Sequence, residues 1–392
     1  MRPSLLFGGV FSAAVLISLA LIGCGGGGTS TIDPALNSGN WKWNMPFYFP
    51  APFVPADNLM SEEKFQLGRY LFYDKKLSGN GTTACASCHF QNLAFTDGKT
   101  VSTGSTGQLT ARSAMPIANS VYHPTLTWAR PDLLSLEQQA AVPIYGTNPV
   151  EMGVTAANEP TILALFAANA GYVARFKAAF PADPAPITMP NIIKALASFE
   201  RGVISASSKY DLYNQGLATL TASEMNGLSL FNTEKAECFH CHAGHNFSDQ
   251  TTFAGMLPQG NIFHNTGLYN IDGLGGFPAP NRGVFETTGV ASDMGAFRAQ
   301  TLRNVGVTAP YMHDGSMATL TEVVAFYAAG GRNIPAGQLN AGDGRLNPYK
   351  DPLIPRINLT LQEQADLVAF LNTLTDNNLL TSPRFADPAL FP

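Results

Sequence analysis

The chain has 392 residues, only 13% of them charged, and a formal net charge of −5, so it lacks the basic footprint of a nucleic-acid-binding protein. Its 37 Gly and 27 Pro imply a loop-rich fold, and a length near 365 residues after removal of a leader suits about two domains. Five cysteines are present, and each finds a role without a structural disulfide.

In chain order, Arg2 is followed by an uncharged apolar run from Leu5 to Ile22 and then by Leu21-Ile22-Gly23-Cys24, which fits a lipoprotein cleavage box. Residues 1–23 are therefore expected to be a signal peptide, with Cys24 the lipidated first residue. A short transmembrane anchor is the alternative reading. Gly25 after the cysteine favours the outer membrane, so the expected product is exported, lipid-anchored, and faces the periplasm or the cell exterior. Residues 24–57 read as a flexible linker leading into an aromatic and Pro-rich strap, Asn40 to Asn58, which includes Trp41 and Trp43.

Cys85-Ala86-Ser87-Cys88-His89 and Cys238-Phe239-His240-Cys241-His242 are two copies of Cys-x-x-Cys-His, 153 residues apart. In each, two thiols can add to the two vinyl groups of one haem and the next histidine can bind its iron. A zinc site or a thioredoxin-like pair does not call for histidine directly after the second cysteine in both copies. The surroundings are duplicated as well. A helix begun near Ser61 ends at Gly68-Arg69-Tyr70-Leu71-Phe72 before the first motif. A helix opened by the capping box Thr221-x-x-Glu224 ends at Gly227-Leu228-Ser229-Leu230-Phe231 before the second. Phe95-Thr96-Asp97 and Phe247-Ser248-Asp249 follow the two histidines.

Between the halves, Glu159–Asn169, Tyr172–Phe180 and Asn191–Ser205 have helical apolar spacing. Thr319-x-x-Glu322 and Thr360-x-x-Glu363 open two later helices. The expected fold is mostly α, with two tandem cytochrome c-like domains, 58–205 and 206–392, each holding one covalently bound haem c.

A haem with an open axial position activates peroxide, whereas a haem with both positions filled transfers electrons. From Phe90 to Tyr122 there is no histidine and one methionine, Met115, so the first haem can be five-coordinate on His89. Peroxide cleavage then needs a group that moves a proton between the oxygens. Gln139 and Glu151 flank the turn Pro143–Pro149 and could face one pocket, although each alone would be read as a surface residue.

Leu67-Gly68-Arg69-x-Leu71-Phe72-Tyr73-Asp74, Phe95-Thr96-Asp97-Gly98, Ser135-Leu136-Glu137-x-Gln139-Ala140, Pro149-Val150-Glu151-Met152-Gly153, Thr301-Leu302-Arg303-Asn304-Val305 and Ala309-Pro310-Tyr311-Met312-His313-Asp314-Gly315-Ser316, together with the haem motifs, resemble bacterial di-haem cytochrome c peroxidases. That family includes the methylamine-utilisation enzyme MauG, and the resemblance spans about Asn58 to Leu374. It implies that Gln139 and Glu151 are the distal pair over the peroxide-binding haem and that Trp128, which would otherwise be read as core, passes electrons between the haems. It also implies a calcium ion held by Asn119 and by the backbone carbonyls of Thr266 and Leu268, a chemistry that suits oxygen donors.

Two departures from the family pattern stand out. Conventional members carry a histidine in the loop after the first haem motif that caps the iron until reduction; here the loop has none, and His123 comes late, which implies readiness without reductive activation. The conventional methionine ligand of the second haem falls on Phe285, where MauG has tyrosine. Met294, Met312, His264 and His313 remain open as its sixth ligand, His313 fitting a structural or propionate-binding role better.

Cys88-His89-Phe90-Gln91, Gly104-Ser105-Thr106-Gly107, Trp128-Ala129-x-Pro131 and the Phe49–Asn58 strap are most similar to the MbnH-like subgroup. That resemblance implies a peroxidase-type oxidoreductase that uses H2O2 to form high-valent haem iron and oxidises a protein partner, taking tryptophan to kynurenine in a copper-binding protein. The alternative is a conventional cytochrome c peroxidase that reduces H2O2 to water with electrons from a small redox protein. A second alternative is a non-catalytic outer-membrane electron-transfer cytochrome.

Overall fold

Ser61 accepts a hydrogen bond from the Lys64 N–H (3.2 Å) and opens α1 (Glu62–Tyr73), with Glu62 and Glu63 in the first turn where the helix dipole favours negative charge. The computed structural model describes residues 41–256 and 262–390, so the expected signal segment, Cys24 and the linker to residue 40 lie outside the described residues. After the first haem loop come α2 (Leu136–Tyr145), α3 (Glu159–Ala167), α4 (Ala170–Ala179), α5 (Met189–Gly202) and α6 (Lys209–Asn214). Thr221 and Glu224 form the expected capping box of α7 (Ala222–Phe231). Beyond the second haem loop lie α8 (Phe285–Thr288), α9 (Leu320–Ala329), α10 (Leu361–Asn372) and α11 (Asn377–Thr381). Thr319/Glu322 and Thr360/Glu363 cap α9 and α10 as expected.

Extended structure among the described residues is slight. β1 (His264–Asn265) pairs antiparallel with β2 (Ala296–Phe297), and β3 (Asn333–Ile334) with β4 (Gly342–Asp343). None of the described helices is long and apolar enough to cross a membrane.

The duplication is visible in how the helices cross. A Cβ on Gly68 of α1 would lie 1.9 Å from the Ala195 carbonyl oxygen of α5, and a Cβ on Gly227 of α7 would lie 1.9 Å from that of Asp366 in α10. Four residues on from each of these positions stands a phenylalanine. Phe72 meets Phe199 with ring centroids 4.9 Å apart, and Phe231 meets Phe370 at 5.2 Å. A third ring completes each group, Phe95 at 5.9 Å from Phe72 and Phe247 at 6.0 Å from Phe231. Gly227→Ala is expected to cost up to about 2 kcal/mol net, because overpacking against backbone, about 1–3 kcal/mol, outweighs the ~1 kcal/mol of helix propensity that alanine gains. Chemical denaturation of the holoprotein checks this, and a stabilised variant would contradict it.

Two apolar cores result, one built on α1 and α5 and one on α7 and α10. The tail does not stay with the second half. Leu379 is part of the first core, the Tyr73 hydroxyl donates to the Phe385 carbonyl (2.8 Å), and Gln91 Nε2 donates to the carbonyls of Leu379 and Ser382 (both 2.8 Å). The 206–392 segment therefore gives its last residues to the other core, because the ends of α1 and the first haem loop offer it matching donors.

The strap is packed as its aromatics suggest. Trp41 lies 5.1 Å from Phe65, and Phe49 is buried against Tyr122, whose hydroxyl donates to the Pro50 carbonyl (2.9 Å). Phe47 and Phe53 point outward instead, 91% and 57% exposed.

Candidate functional site

Both haem loops hold their histidine in the same way. Phe95 (φ +65°) and Phe247 (φ +49°) adopt a left-handed backbone that is unfavourable for an aromatic residue. Their carbonyls accept from His89 Nδ1 at 2.6 Å and from His242 Nδ1 at 3.0 Å. A carbonyl can only accept, so Nδ1 carries the ring proton and Nε2 keeps its lone pair, the tautomer an iron ligand needs. Burial pulls both imidazole pKa values down, which also favours the neutral ring. All four thiols, Cys85, Cys88, Cys238 and Cys241, are free. Donor set, tautomer and thiols together fit two covalently attached haems.

His89, Cys85 and Cys88 line a cavity of about 850 Å³ that also contains Gln139 and Glu151. The turn expected at Pro143 is instead the interior of α2, which runs through the proline to Tyr145. Proline has no N–H for the Gln139 carbonyl one turn back, yet its own carbonyl accepts from Met152 N at 2.9 Å, and Ile144 O accepts from Val154 N at 3.0 Å. These bonds pin the Glu151 loop to α2. From the other side, Ser105 N donates to the Glu151 carbonyl (2.7 Å), and Gly104 lies so close that a Cβ would sit 1.9 Å from Val150 O. The flexible-looking Ser102–Gly107 stretch thus serves as a clamp on the Glu151 backbone. Burial raises the Glu151 pKa.

Three residues not singled out from sequence, or set aside there, line the same cavity: His123, Glu200 and Arg298. His123 Nδ1 bonds the Gln250 carbonyl (3.0 Å), and burial with the nearby Arg298 charge holds its pKa well below the usual value. It reaches the cavity although it lies 34 residues after His89, since sequence separation says little about a loop returning to a cavity. Glu200 sits at the end of α5, where burial, helped by the Glu137 charge and opposed by Arg201, raises its pKa to about 8. No spacing rule marks it.

The second cavity, about 1750 Å³, is lined by Cys238, Cys241 and His242 and is chiefly apolar. Among the open ligand candidates, His264 is committed elsewhere. Its Nε2 meets Asp249 at 2.6 Å and its Nδ1 meets Asp351 at 2.5 Å. Burial lowers its pKa, but Asp249, Asp351 and the adjacent Cys241 outweigh burial and raise it to about 12, and both ring nitrogens face carboxylates rather than an iron. Met294 does not line the cavity, whereas Met312 and His313 do. Met312 has φ +69°, and His313 stacks on Phe297 at 3.8 Å with its buried Nε2 unpartnered. Phe285 likewise does not line the cavity and has Arg282 over its ring at 5.2 Å.

A di-haem cytochrome c peroxidase family model matches residues 62–219. The cytochrome-c peroxidase IdrP1 of Denitromonas iodatirespirans is 35% identical over 88% of this chain and 88% of its own. The methylamine utilization protein MauG of Methylorubrum extorquens is 31% identical over 92% of this chain and 94% of its own. The chain belongs to the di-haem cytochrome c peroxidase/MauG family. It is accordingly a di-haem oxidoreductase, and two haem c groups are the cofactors the family implies. A solved MauG-like protein associated with microbial copper homeostasis superposes with a TM-score of 0.88 at 56% identity, covering 89% of this chain and 99% of that one.

Within this family frame, Trp128 lines the second cavity while its neighbour Thr127 lines the first. Its indole N–H donates to Ser113 O (2.9 Å), its carbonyl accepts from Arg298 N (2.9 Å), and its ring lies 6.4 Å from that of His313. The residues expected to hold calcium are less favourably placed. Thr266 and Leu268 line the second cavity, but Asn119 lines neither, its amide spent on Ser205, accepting from N at 2.6 Å and donating to O at 3.0 Å. A calcium site would need the Asn119 oxygen to share its remaining lone pair.

Proposed function

We propose that this chain uses H2O2 at the His89 haem to oxidise residues of a protein partner, and that the partner is a copper-binding protein oxidised at tryptophan. The observation that carries this reading is Glu151, a carboxyl whose pKa is raised by burial, clamped in the cavity of His89 together with Gln139. When bound, the haem supplies the iron at which peroxide is activated. Glu151 would accept the proton of the iron-proximal peroxide oxygen and return it to the distal one, which departs as water. The Gln139 amide would orient the peroxide, and Trp128 would conduct between the two haem cavities. The copper partner is suggested by the 56% identical protein associated with copper homeostasis. Export and lipid attachment at Cys24, and a calcium ion near Thr266 and Leu268, belong to the same proposal.

H2O2 added to the as-isolated ferric protein tests it. The optical and EPR signals of both haems should change together without prior reduction, and a partner tryptophan should then be modified. A requirement for half-reduction, or rapid turnover with a small cytochrome, would replace this reading by conventional peroxidase activity, which His123 lining the first cavity favours. No response at all would leave electron transfer alone.

A further inference from the structure

Arg298 is a cation without a counter-ion. It is 4% exposed and lines both haem cavities. Its Nη1 donates to the Thr125 carbonyl (2.6 Å) and its Nη2 to Gln300 Oε1 (2.8 Å), both uncharged, while its buried Nε has no partner. Among the described residues no carboxylate lies within ion-pair distance of it. Arg303, buried to 1%, shows the usual solution, a two-pronged pair with Asp211 at 2.8 and 3.0 Å. Burial lowers the Arg298 pKa to about 9, which still leaves the guanidinium charged at neutral pH.

An unpaired buried charge costs several kcal/mol unless an anion answers it. Other groups lining the cavities that Arg298 reaches also have hydrogen-bonding capacity to spare. Thr127 Oγ1, lining the first cavity, and His313 Nε2, lining the second, are buried without partners. His123 is held neutral and so brings no negative charge. Around Arg298 there are thus unpartnered polar groups and one fixed positive charge, and none of the carboxyls lining the two cavities, Glu151, Glu200 and Glu237, forms an ion pair with it.

We propose that Arg298 is a shared carboxylate-binding residue that pairs with propionate groups of both haems and couples the two irons electrostatically. This rests on two haems being present, which the family shows, and not on the peroxide reading. Each haem carries its own propionate carboxylates, the class of anion that a guanidinium fork recognises best. A cation shared by both haems favours the ferrous state of each, since reduction removes one positive charge from the iron. Its backbone bond to Trp128 would place this charge beside the residue expected to conduct between them.

The test uses the full-length holoprotein with both haems verified by pyridine haemochrome content. Each haem is titrated by spectroelectrochemistry in Arg298→Met and Arg298→Lys. With Arg298→Met, the ferrous-to-ferric ratio at fixed applied potential should fall about tenfold at both haems, equivalent to about 59 mV for a one-electron couple. Arg298→Lys should restore most of that ratio at both. A shift confined to one haem, no shift in either, or equal shifts in the Met and Lys variants would overturn the proposal. Should the Met variant fail to retain haem, the Lys variant decides: a small parallel change at both haems supports sharing, and a large change at one alone refutes it.

Discussion

Glu151→Gln is expected to slow H2O2 consumption by roughly 10²–10⁴-fold, the usual contribution of a positioned acid–base group, in a protein that keeps both haems. Glutamine preserves the shape and the backbone bonds from Ser105 and to α2 but cannot take up a proton. The pH dependence has a defined sign. Because burial raises the Glu151 pKa, the carboxylate that accepts the proton disappears as pH falls through that raised value, and the native rate falls with it. Stability runs the other way: a carboxyl with a raised folded-state pKa contributes stability that is full below its unfolded pKa and lost as pH rises through the folded one. Stopped-flow mixing across pH should show an acid limb in the native protein that the variant lacks. Unchanged kinetics would remove Glu151 from the mechanism.

Removing Asp211 should produce the largest loss of stability. Asp211 and Arg303 are 0% and 1% exposed, and Asp211→Ala would strand a buried guanidinium, at a cost of about 3–5 kcal/mol. Arg303 also donates from Nε to the His245 carbonyl (2.7 Å) and lies 4.7 Å from the centre of the Phe49 ring, while the Tyr48 hydroxyl donates to Asp211 Oδ1 (3.0 Å). The strap, α6 and the second haem loop thus meet at one ion pair. Burial pushes the Asp211 pKa up, but Arg303 and Ser208 outweigh it and the net shift is downward. Its stabilisation is therefore present above the unfolded carboxyl pKa and lost as pH falls through the folded value. Denaturant titration at neutral pH measures the loss, and a change under ~1 kcal/mol would mean that the cost of burying the pair cancels its attraction.

Local structure is legible in the sequence where a single turn of chain decides it. The caps at Ser61, Thr221, Thr319 and Thr360 depend on side chains three residues apart, and all four open helices. The paired haem loops were equally legible, since thiols and histidine are contiguous. Helix α2 was not, because Pro143 reads as a breaker when the carbonyls that accept from Met152 and Val154 cannot be seen. Only family resemblance pairs Gln139 with Glu151 in the sequence, and the physical basis of their shared cavity lies in those long-range bonds. Arg298 carries no sequence signal, and His123, which comes late after the first haem motif, is misplaced by distance along the chain: what marks them is the partner that one lacks and the cavity that the other reaches, and neither has a spacing. His264 offered a plausible iron ligand in sequence, yet two carboxylates, 15 residues before it and 87 after, had already claimed both nitrogens.

The tail that returns to the first core has a consequence for the order of assembly. Gln91, two residues beyond His89, is held by carbonyls of residues 379 and 382, and Arg384 pairs with Glu62 on α1 at 2.7 Å. During synthesis the N-terminal haem loop emerges almost three hundred residues before the segment that fastens it. The contacts that close the first haem loop therefore cannot form until residues 379–384 are present, so the pocket whose motif is made first is completed by nearly the last residues of the chain.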